Sequence, residues 1–249
     1  MRKLVVLAIV LLAACDPVVD AQKAGTPSAP QARFAPAQVS VESEALTALI
    51  NQFAQVSFEV KQVARTHCRA SASNRASSRA SRAKCNFQVS IDTRADAAPN
   101  AYQTEDRNGR PIIAFTLSLV AQMRNRDEMA FILGHEMAHH IKGHLAVKRA
   151  GILTGALTAG LEARLDGASA EDVRRAQSRG ALREIQSFTK AFELEADALG
   201  AVIAHQAGYD PILGSQFFYR IRDPRHAFLA THPGNAQRLA TVRAAVAGL

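Results

Sequence analysis

The sequence contains no long apolar run beyond its N-terminus. Hydrophobic residues make up 48% of its 249 residues, yet no later run reaches the ~20 residues that a membrane-spanning helix requires. The sequence also lacks a strong compositional bias, since 21% of its residues are charged, and this excludes the fibrous and the fully disordered classes of protein. We therefore expect most of the chain to form a globular domain with a buried core.

The sequence has fewer acidic than basic residues. The chain has 30 lysine and arginine residues against 22 aspartate and glutamate residues, a net charge of +8, which suggests nucleic acid or an anionic membrane surface as a partner. Arg2 and Lys3 precede an apolar run at residues 4–12, and this arrangement is typical of an export signal. Because an exported chain does not meet genomic DNA, we expect lipid headgroups and no nucleic acid.

The end of the apolar run predicts a lipid anchor. Residues 12–15 read LAAC and resemble the bacterial lipobox, whose cysteine becomes the first residue of the mature chain and carries the lipid. We expect Cys15 to anchor the protein in the bacterial cell envelope, facing the periplasm, in either the inner or the outer membrane. A plain signal peptide or an N-terminal anchor is the alternative.

Cysteine is scarce as well, since only Cys68 and Cys85 remain after Cys15. No second pair of cysteines or histidines lies at finger spacing near them, so a zinc-finger site is not expected. Disulfides persist in exported proteins, and we expect these two residues to form one. A pair of reduced, buried thiols is the alternative.

Three segments are predicted along the chain. Residues 1–14 form the signal peptide, and residues 15–40, rich in alanine, proline, glutamine and serine, form a flexible tether. Residues 41–249 form the folded domain, in which residues 68–85 are expected to be a basic surface loop.

The domain is predicted to be of the α+β class and predominantly helical. Asn108-Gly109 is a strong hairpin signal, so residues 102–106 are expected to pair with residues 112–116 in a small antiparallel sheet. A further strand is expected at residues 87–91. Hydrophobic periodicity predicts helices at 42–63, from the N-cap Asn125 to Arg149, and at 152–164, 169–207, 211–221 and 233–247.

The pattern with the clearest chemistry is HEMAH at residues 135–139, an HExxH motif inside a predicted helix. Two histidines four residues apart on a helix differ by about 40° in direction, so His135 and His139 can bind one zinc ion. Glu136 lies beside them and can act as a base toward a water molecule. A surface helix with two histidines is the alternative.

A catalytic zinc site needs a third protein ligand. The metzincin class is excluded because Leu145 occupies the position of its third histidine. On a continuous helix His140 and His144 point away from His139, so we expect them to be capping, surface or packing residues. Glu193 on a later helix is the candidate ligand, and Asp197 is suited to accept the free N–H of a ligating histidine.

Small residues continue the row of Glu193 and Asp197. Gly200 and Ala204 would let another helix approach closely, whereas Glu195 points about 200° away from Glu193 and is expected to be solvated. The alternative is that Glu193 and Asp197 are surface charges on an ordinary amphipathic helix.

Together these motifs resemble the HtpX-like and BepA-like zinc metallopeptidases, which include the CAAX prenyl proteases. The resemblance runs from Pro99 to Arg238 and includes Pro99-Asn100-Ala101-Tyr102, Asp127-Glu128, residues 135–139, residues 193–197 and Thr231-His232-Pro233. It implies a zincin-like fold with His135, His139 and Glu193 as ligands of one zinc ion and Glu136 as general base.

The resemblance also implies a role near the metal for His232. This residue would be either a fourth ligand in a resting state or a hydrogen-bond donor to the oxyanion of the reaction, with Arg238 nearby. The chain lacks the long apolar spans of the integral-membrane relatives and is most similar to the short bacterial lipoprotein type.

The function implied by the resemblance is a zinc-dependent endopeptidase of the bacterial cell envelope. Substrates of such clefts commonly add as an extended strand to a sheet edge, so unfolded or misassembled envelope polypeptides are the expected substrates. A periplasmic chaperone or assembly factor with a gated or vestigial zinc site is the alternative. A structural zinc protein is disfavoured, because it would not need Glu136.

Overall fold

The computed structural model describes residues 36–73, 84–94, 96–220 and 233–249. The chain divides into two compact units, residues 1–40 and 41–249, and the fold concerns the second. The elements of the described residues are, in chain order, α1 (Pro36–Ser73), β1 (Gln88–Asp92), β2 (Ala101–Glu105), β3 (Pro111–Thr116), α2 (Leu117–Val120), α3 (Arg126–Lys142), α4 (His144–Leu165), α5 (Ala170–Gln206), α6 (Pro211–Gly214), a 3-10 turn (Ser215–Tyr219) and α7 (Asn235–Ala247).

Several predictions concern residues outside these ranges. The signal peptide, Cys15 and residues 15–35 of the tether lie there, as does most of the basic loop. Within the described ranges, none of the helices combines the length and the apolarity that crossing a membrane requires.

The described strands form one small sheet with the order β1-β3-β2. The predicted hairpin is confirmed, because β2 pairs antiparallel with β3 and Thr104 lies opposite Ile112. The sheet is mixed rather than wholly antiparallel, since β1 runs parallel to β3. The chain reverses direction twice between β1 and β3, and β2 occupies one edge of β3, so β1 takes the other edge in the parallel direction.

Helix α3, which carries the HExxH motif, begins where the sequence predicts it. The side chain of the N-cap Asn125 accepts a hydrogen bond of 2.8 Å from the Glu128 N–H, as N-cap residues do. The predicted end at Arg149 is wrong. Gly143 adopts a left-handed conformation with φ 75° and ends the helix after Lys142, because glycine reaches this conformation without steric penalty. A new helix, α4, begins at His144.

The core lies between helix α1, the sheet and helices α3, α5 and α7. Helix α3 is buried on nearly every side, with His135 and Glu136 among its buried residues. The completely buried apolar side chains with the largest volumes come from five elements: Phe53, Val56 and Val60 on α1; Ile113 and Phe115 on β3; Val120 on α2; Met129, Phe131, Leu133 and Met137 on α3; and Ile203 on α5.

A disulfide ties helix α1 to the segment that precedes β1. Cys68 and Cys85 are bonded, with their Cα atoms 5.6 Å apart, and both are buried. The neighbouring Lys84 carbonyl accepts a hydrogen bond of 2.6 Å from His140 Nε2 on α3. The disulfide-linked segment therefore contacts the last turn of the helix that carries the HExxH motif.

Helices α3 and α5 touch backbone to backbone at Gly134 and Gly200. A Cβ atom on Gly200 would lie 2.7 Å from the backbone nitrogen of His135 and 2.9 Å from its Cα. A Cβ atom on Gly134 would likewise lie 2.7 Å from the Gly200 carbonyl oxygen. The predicted close approach at Gly200 is confirmed, and it brings the carboxylate row of α5 alongside the histidines of α3.

We expect Gly200→Ala to destabilise the protein by about 1–3 kcal/mol, because the added methyl group overpacks this contact. The Tm measured by circular dichroism should fall. Gly248→Ala is the matched control, since the nearest atom to its added Cβ is 3.7 Å away. An unchanged Tm for Gly200→Ala would contradict the proposed contact between the two helices.

Candidate metal centre

Three side chains from two helices converge on one point. His135 and His139 come from α3, and Glu193 comes from α5; one ligand atom from each lies within 4.8 Å of the others. The two Nε2 atoms are 3.1 Å apart. A Glu193 oxygen lies 3.5 Å from the Nε2 of His135, and the other lies 3.4 Å from the Nε2 of His139.

These distances fit a zinc ion. Zinc bonds to nitrogen and oxygen are about 2.0–2.1 Å long, so ligand atoms at tetrahedral corners lie ~3.3 Å apart. The three observed separations scatter closely around that value. Two imidazoles and one carboxylate are also the donor set of known catalytic zinc sites, which leave a fourth position open.

A buried ion pair holds His135 in place. Asp197, which is completely buried, accepts a hydrogen bond of 2.9 Å from His135 Nδ1. The guanidinium of Arg238 on α7 donates to both oxygens of Asp197, at 2.8 and 2.7 Å. Because Asp197 holds the Nδ1–H of His135, the Nε2 atom faces Glu193 and would supply its lone pair to a metal that replaces the proton there.

The site stabilises positive charge at His135. Burial is the largest influence and lowers the pKa of His135, but the hydrogen bonds to Asp197 and Glu193 outweigh it and raise the pKa to about 10. Burial would raise the pKa of Asp197, yet its bonds with His135 and Arg238 hold that pKa below its ordinary value. Carboxylates that favour a proton here also favour a divalent cation in its place.

The other histidine of the motif has a partner that the sequence did not predict. His139 Nδ1 lies 2.8 Å from His144 Nδ1, and the His144 ring stacks on Phe192 with centroids 4.2 Å apart. Burial, together with the neighbouring His139, lowers the pKa of His144 to about 4. The neutral His144 ring can therefore accept the Nδ1–H of His139 and leave His139 Nε2 for the metal.

This arrangement corrects the prediction for His144. On a continuous helix His144 would point away from His139, but the break at Gly143 turns the first residue of α4 back toward the site. Its Nε2 lies 3.6 Å from a carboxylate oxygen of Glu195, a residue that is more than half exposed, as predicted. The signal in the sequence was Gly143 at the end of a helix with basic residues in its last turn.

His140 packs as predicted and does not reach the cluster. Its ring lies edge-on against Phe87 at 5.5 Å, and its Nε2 bonds to the Lys84 carbonyl. Glu136 is buried on the neighbouring side of α3 and makes no hydrogen bond or ion pair with another described residue.

Two further residues, Arg238 and His232, are predicted to lie near the metal. Arg238 lies at the site, where its guanidinium also contacts Glu193 at 3.6 Å and stacks on the Phe218 ring at 3.8 Å. His232 lies outside the described residues, and both roles suggested for it stay predictions.

A family comparison identifies the class of enzyme. Residues 59–246, which include every residue of the site described above, match peptidase family M48. The chain belongs to this family. M48 peptidases depend on zinc, so the predicted resemblance to HtpX-like and BepA-like zinc metallopeptidases and the predicted cofactor are confirmed.

Two curated relatives have informative names. The chain is 29% identical over 131 residues to the mitochondrial metalloendopeptidase OMA1 of Arabidopsis thaliana, an alignment that covers 51% of this chain and 26% of that protein. It is 29% identical over 147 residues to a beta-barrel assembly-enhancing protease of Vibrio cholerae serotype O1, covering 53% and 30%. The chain thus spans less than a third of the length of either relative. No solved structure matches the chain.

The contact between His139 and His144 generates a test. We expect His144→Phe to weaken zinc binding by about 10- to 100-fold, because phenylalanine can keep the stack on Phe192 but cannot accept the His139 N–H. The zinc dissociation constant, measured by competition with a chelator, checks this. His205→Phe, at an exposed histidine of α5, is the control and should leave the dissociation constant unchanged. Equal affinity in His144→Phe and the wild type would remove His144 from the site.

Proposed function

We propose that this M48 peptidase is a zinc-dependent endopeptidase of the bacterial cell envelope that hydrolyses unfolded or misassembled polypeptides. The observation that carries the proposal is the cluster of His135, His139 and Glu193 next to Glu136, a buried glutamate that has no partner among the described residues. A structural zinc site has no use for that glutamate.

Metal binding and proton transfer are assigned to different residues of the site. When bound by His135, His139 and Glu193, zinc supplies Lewis-acid polarisation of the scissile carbonyl group and of the attacking water. Glu136 accepts the proton of that water and passes it to the nitrogen of the leaving amine, which is general acid–base catalysis by one carboxylate.

Asp197 and Arg238 act through His135. The two hydrogen bonds from Arg238 fix the Asp197 carboxylate, and Asp197 fixes both the direction and the tautomer of the imidazole. Since both residues are buried, the histidine keeps its orientation while a substrate enters and leaves.

The free edge of β2 is the proposed docking place for the substrate. Asp106 donates a backbone hydrogen bond to Arg110 across the hairpin, and bonded pairs alternate along an antiparallel ladder. The backbone groups that point away from β3 are therefore those of Ala101, Gln103 and Glu105. Such an edge pairs with any extended chain, which selects for unfolded polypeptides.

The edge lies beside the metal centre. Gln103 on β2 donates a hydrogen bond of 3.4 Å to His140 Nδ1, and His140 is the neighbour of His139 in the chain. An extended substrate on this edge would therefore run past the zinc ligands. One relative is named for enhancing β-barrel assembly, which supports substrates that have not yet folded.

The envelope location is proposed from the N-terminus. Residues 1–14 carry the features of an export signal, and Cys15 is the proposed site of a lipid that holds the chain at a membrane. An exported chain has no access to nucleic acid, so its excess positive charge is assigned to contact with membrane lipids.

The first test replaces the general base. Glu136→Gln should retain its zinc and its Tm but lose about 10²- to 10⁴-fold in the rate of casein cleavage, because an amide cannot accept the proton of water. Metal analysis and a cleavage assay on the same sample check this. Full cleavage by this variant would contradict the assignment, and lost cleavage with intact envelope function in cells would favour the chaperone alternative.

The second test removes one donor from the substrate edge. Gln103→Pro deletes an N–H that points away from β3, and proline is tolerated on edge strands, so the fold and the zinc content should persist. The KM for casein should rise while kcat changes little. Gln103→Ala is the matched control, since it loses the side chain but keeps the N–H and should leave KM close to that of the wild type. Equal KM values in both variants would exclude docking at this edge.

A further inference from the structure

Helices α4 and α5 form an antiparallel arm with an exposed apolar side. Four leucines on α4 lie at intervals of four residues and expose more than half of their surface: Leu153 61%, Leu157 59%, Leu161 59% and Leu165 78%. Isolated exposed leucines are common in proteins, but a continuous row on one helix marks an interaction surface.

The row belongs to a wider face without charge. Residues at helical spacing from the leucines complete it, and all are exposed: Val147, Ala150, Thr154 and Thr158. We name these eight residues, from Val147 to Leu165, the leucine face. At 1.5 Å per residue it is ~27 Å long. None of its eight residues is charged, and two exposed charged residues, Glu162 and Arg164, border it near its C-terminal end.

The helix packing explains why the leucines point outward. Helix α4 contacts α5 through small residues, and a Cβ atom on Gly155 would lie 2.6 Å from the carbonyl oxygen of Gly180. This close contact uses the opposite side of α4 and leaves no room there for large side chains. No element in the described part of the chain covers the leucine face, as the exposed fractions show.

We propose that the leucine face docks on the surface of an anionic lipid bilayer. An amphipathic helix with leucines on one side and basic residues on its flanks lies in the membrane interface with its apolar side buried. The arm fits this description because residues 144–190 contain eight lysines and arginines against five acidic residues. Four of the eight basic side chains make no ion pair with a described residue: Lys148, Arg164, Arg179 and Arg183.

Charge argues against a second copy of the chain as the occupant. Residues 144–190 contain eight basic against five acidic residues, so the arm as a whole is positively charged. Pairing of two copies through their leucine faces would bring two positively charged arms together. Like charges placed opposite each other destabilise an interface, whereas both would attract anionic headgroups.

The shape of the arm agrees with a lipid surface. The leucine face lies on a side of α4 that does not contact α5, and a fluid bilayer needs no complementary groove to receive it. This inference rests on the proposed envelope location, because only a chain held near a membrane would use such a face. It adds a second contact to the proposed lipid at Cys15, and two weak membrane signals together give stable anchoring.

The experiment places a fluorescent reporter on the face. Leu157→Cys is made in the full chain, purified from bacterial envelopes, and labelled with a polarity-sensitive fluorophore. Cys68 and Cys85 are bridged, and the unsubstituted chain labelled in parallel measures any signal from Cys15. Leu182→Cys is the matched control, since Leu182 is an exposed leucine (54%) on the other helix of the same arm.

On addition of vesicles of phosphatidylethanolamine and phosphatidylglycerol, the label at residue 157 should shift its emission to the blue. Lipids with brominated tails should quench it, and the label at residue 182 should show neither effect. No response at residue 157, or equal responses at both positions, would overturn the proposal.

Other occupants give different results. A blue shift at residue 157 that grows with protein concentration without vesicles would identify a second copy, and one caused by casein alone would identify a polypeptide; either result overturns the lipid proposal. Zinc content and casein cleavage of the same variants are measured without vesicles, so the proposed peptidase function succeeds or fails separately. Circular dichroism of both variants verifies that the arm remains helical.

Discussion

The whole metal centre depends on how closely helices α3 and α5 approach each other. They meet at Gly134 and Gly200, where no side chain fits between the two backbones. The helices run in opposite directions at this contact. Asp197, one turn before Gly200, therefore lies at the Nδ1 side of His135, away from the metal. One turn earlier still, Glu193 lies between His135 and His139. The contact therefore converts two neighbouring histidines into a three-ligand site.

Burial of charge is the second constraint on the site. Taking Asp197 and Arg238 out of water costs free energy that their ion pair recovers only in part, so such a pair is weak grounds for stability. The ion pair instead positions His135, because Asp197 holds the imidazole from the side opposite the metal. His144 does the same for His139 with a neutral ring. The two histidines are thus held by different chemistry, one by a charged network and the other by a stacked imidazole.

Much of this site could be predicted from local pattern. The spacing of HExxH and the row from Glu193 to Gly200 depend only on helical periodicity, and the hairpin depends only on a turn signal. The break at Gly143 could not be predicted in the same way, because a glycine inside a helical pattern is compatible with continuation. Its left-handed backbone is selected by the tertiary fold, and with it the position of His144. The parallel pairing of β1 was missed for a related reason, since strand partners are chosen by contacts distant in sequence.

The central claim is that Glu193, and no other acidic residue of its helix turn, completes the zinc site with the two histidines. The most direct measurement is the zinc content of purified Glu193→Ala and Glu195→Ala, two glutamates separated by one residue. We expect one zinc per chain in Glu195→Ala and loss of most of the zinc in Glu193→Ala, because two imidazoles alone leave the metal under-coordinated. Full zinc content in Glu193→Ala, with loss in Glu195→Ala, would show that Glu193 is not the third ligand.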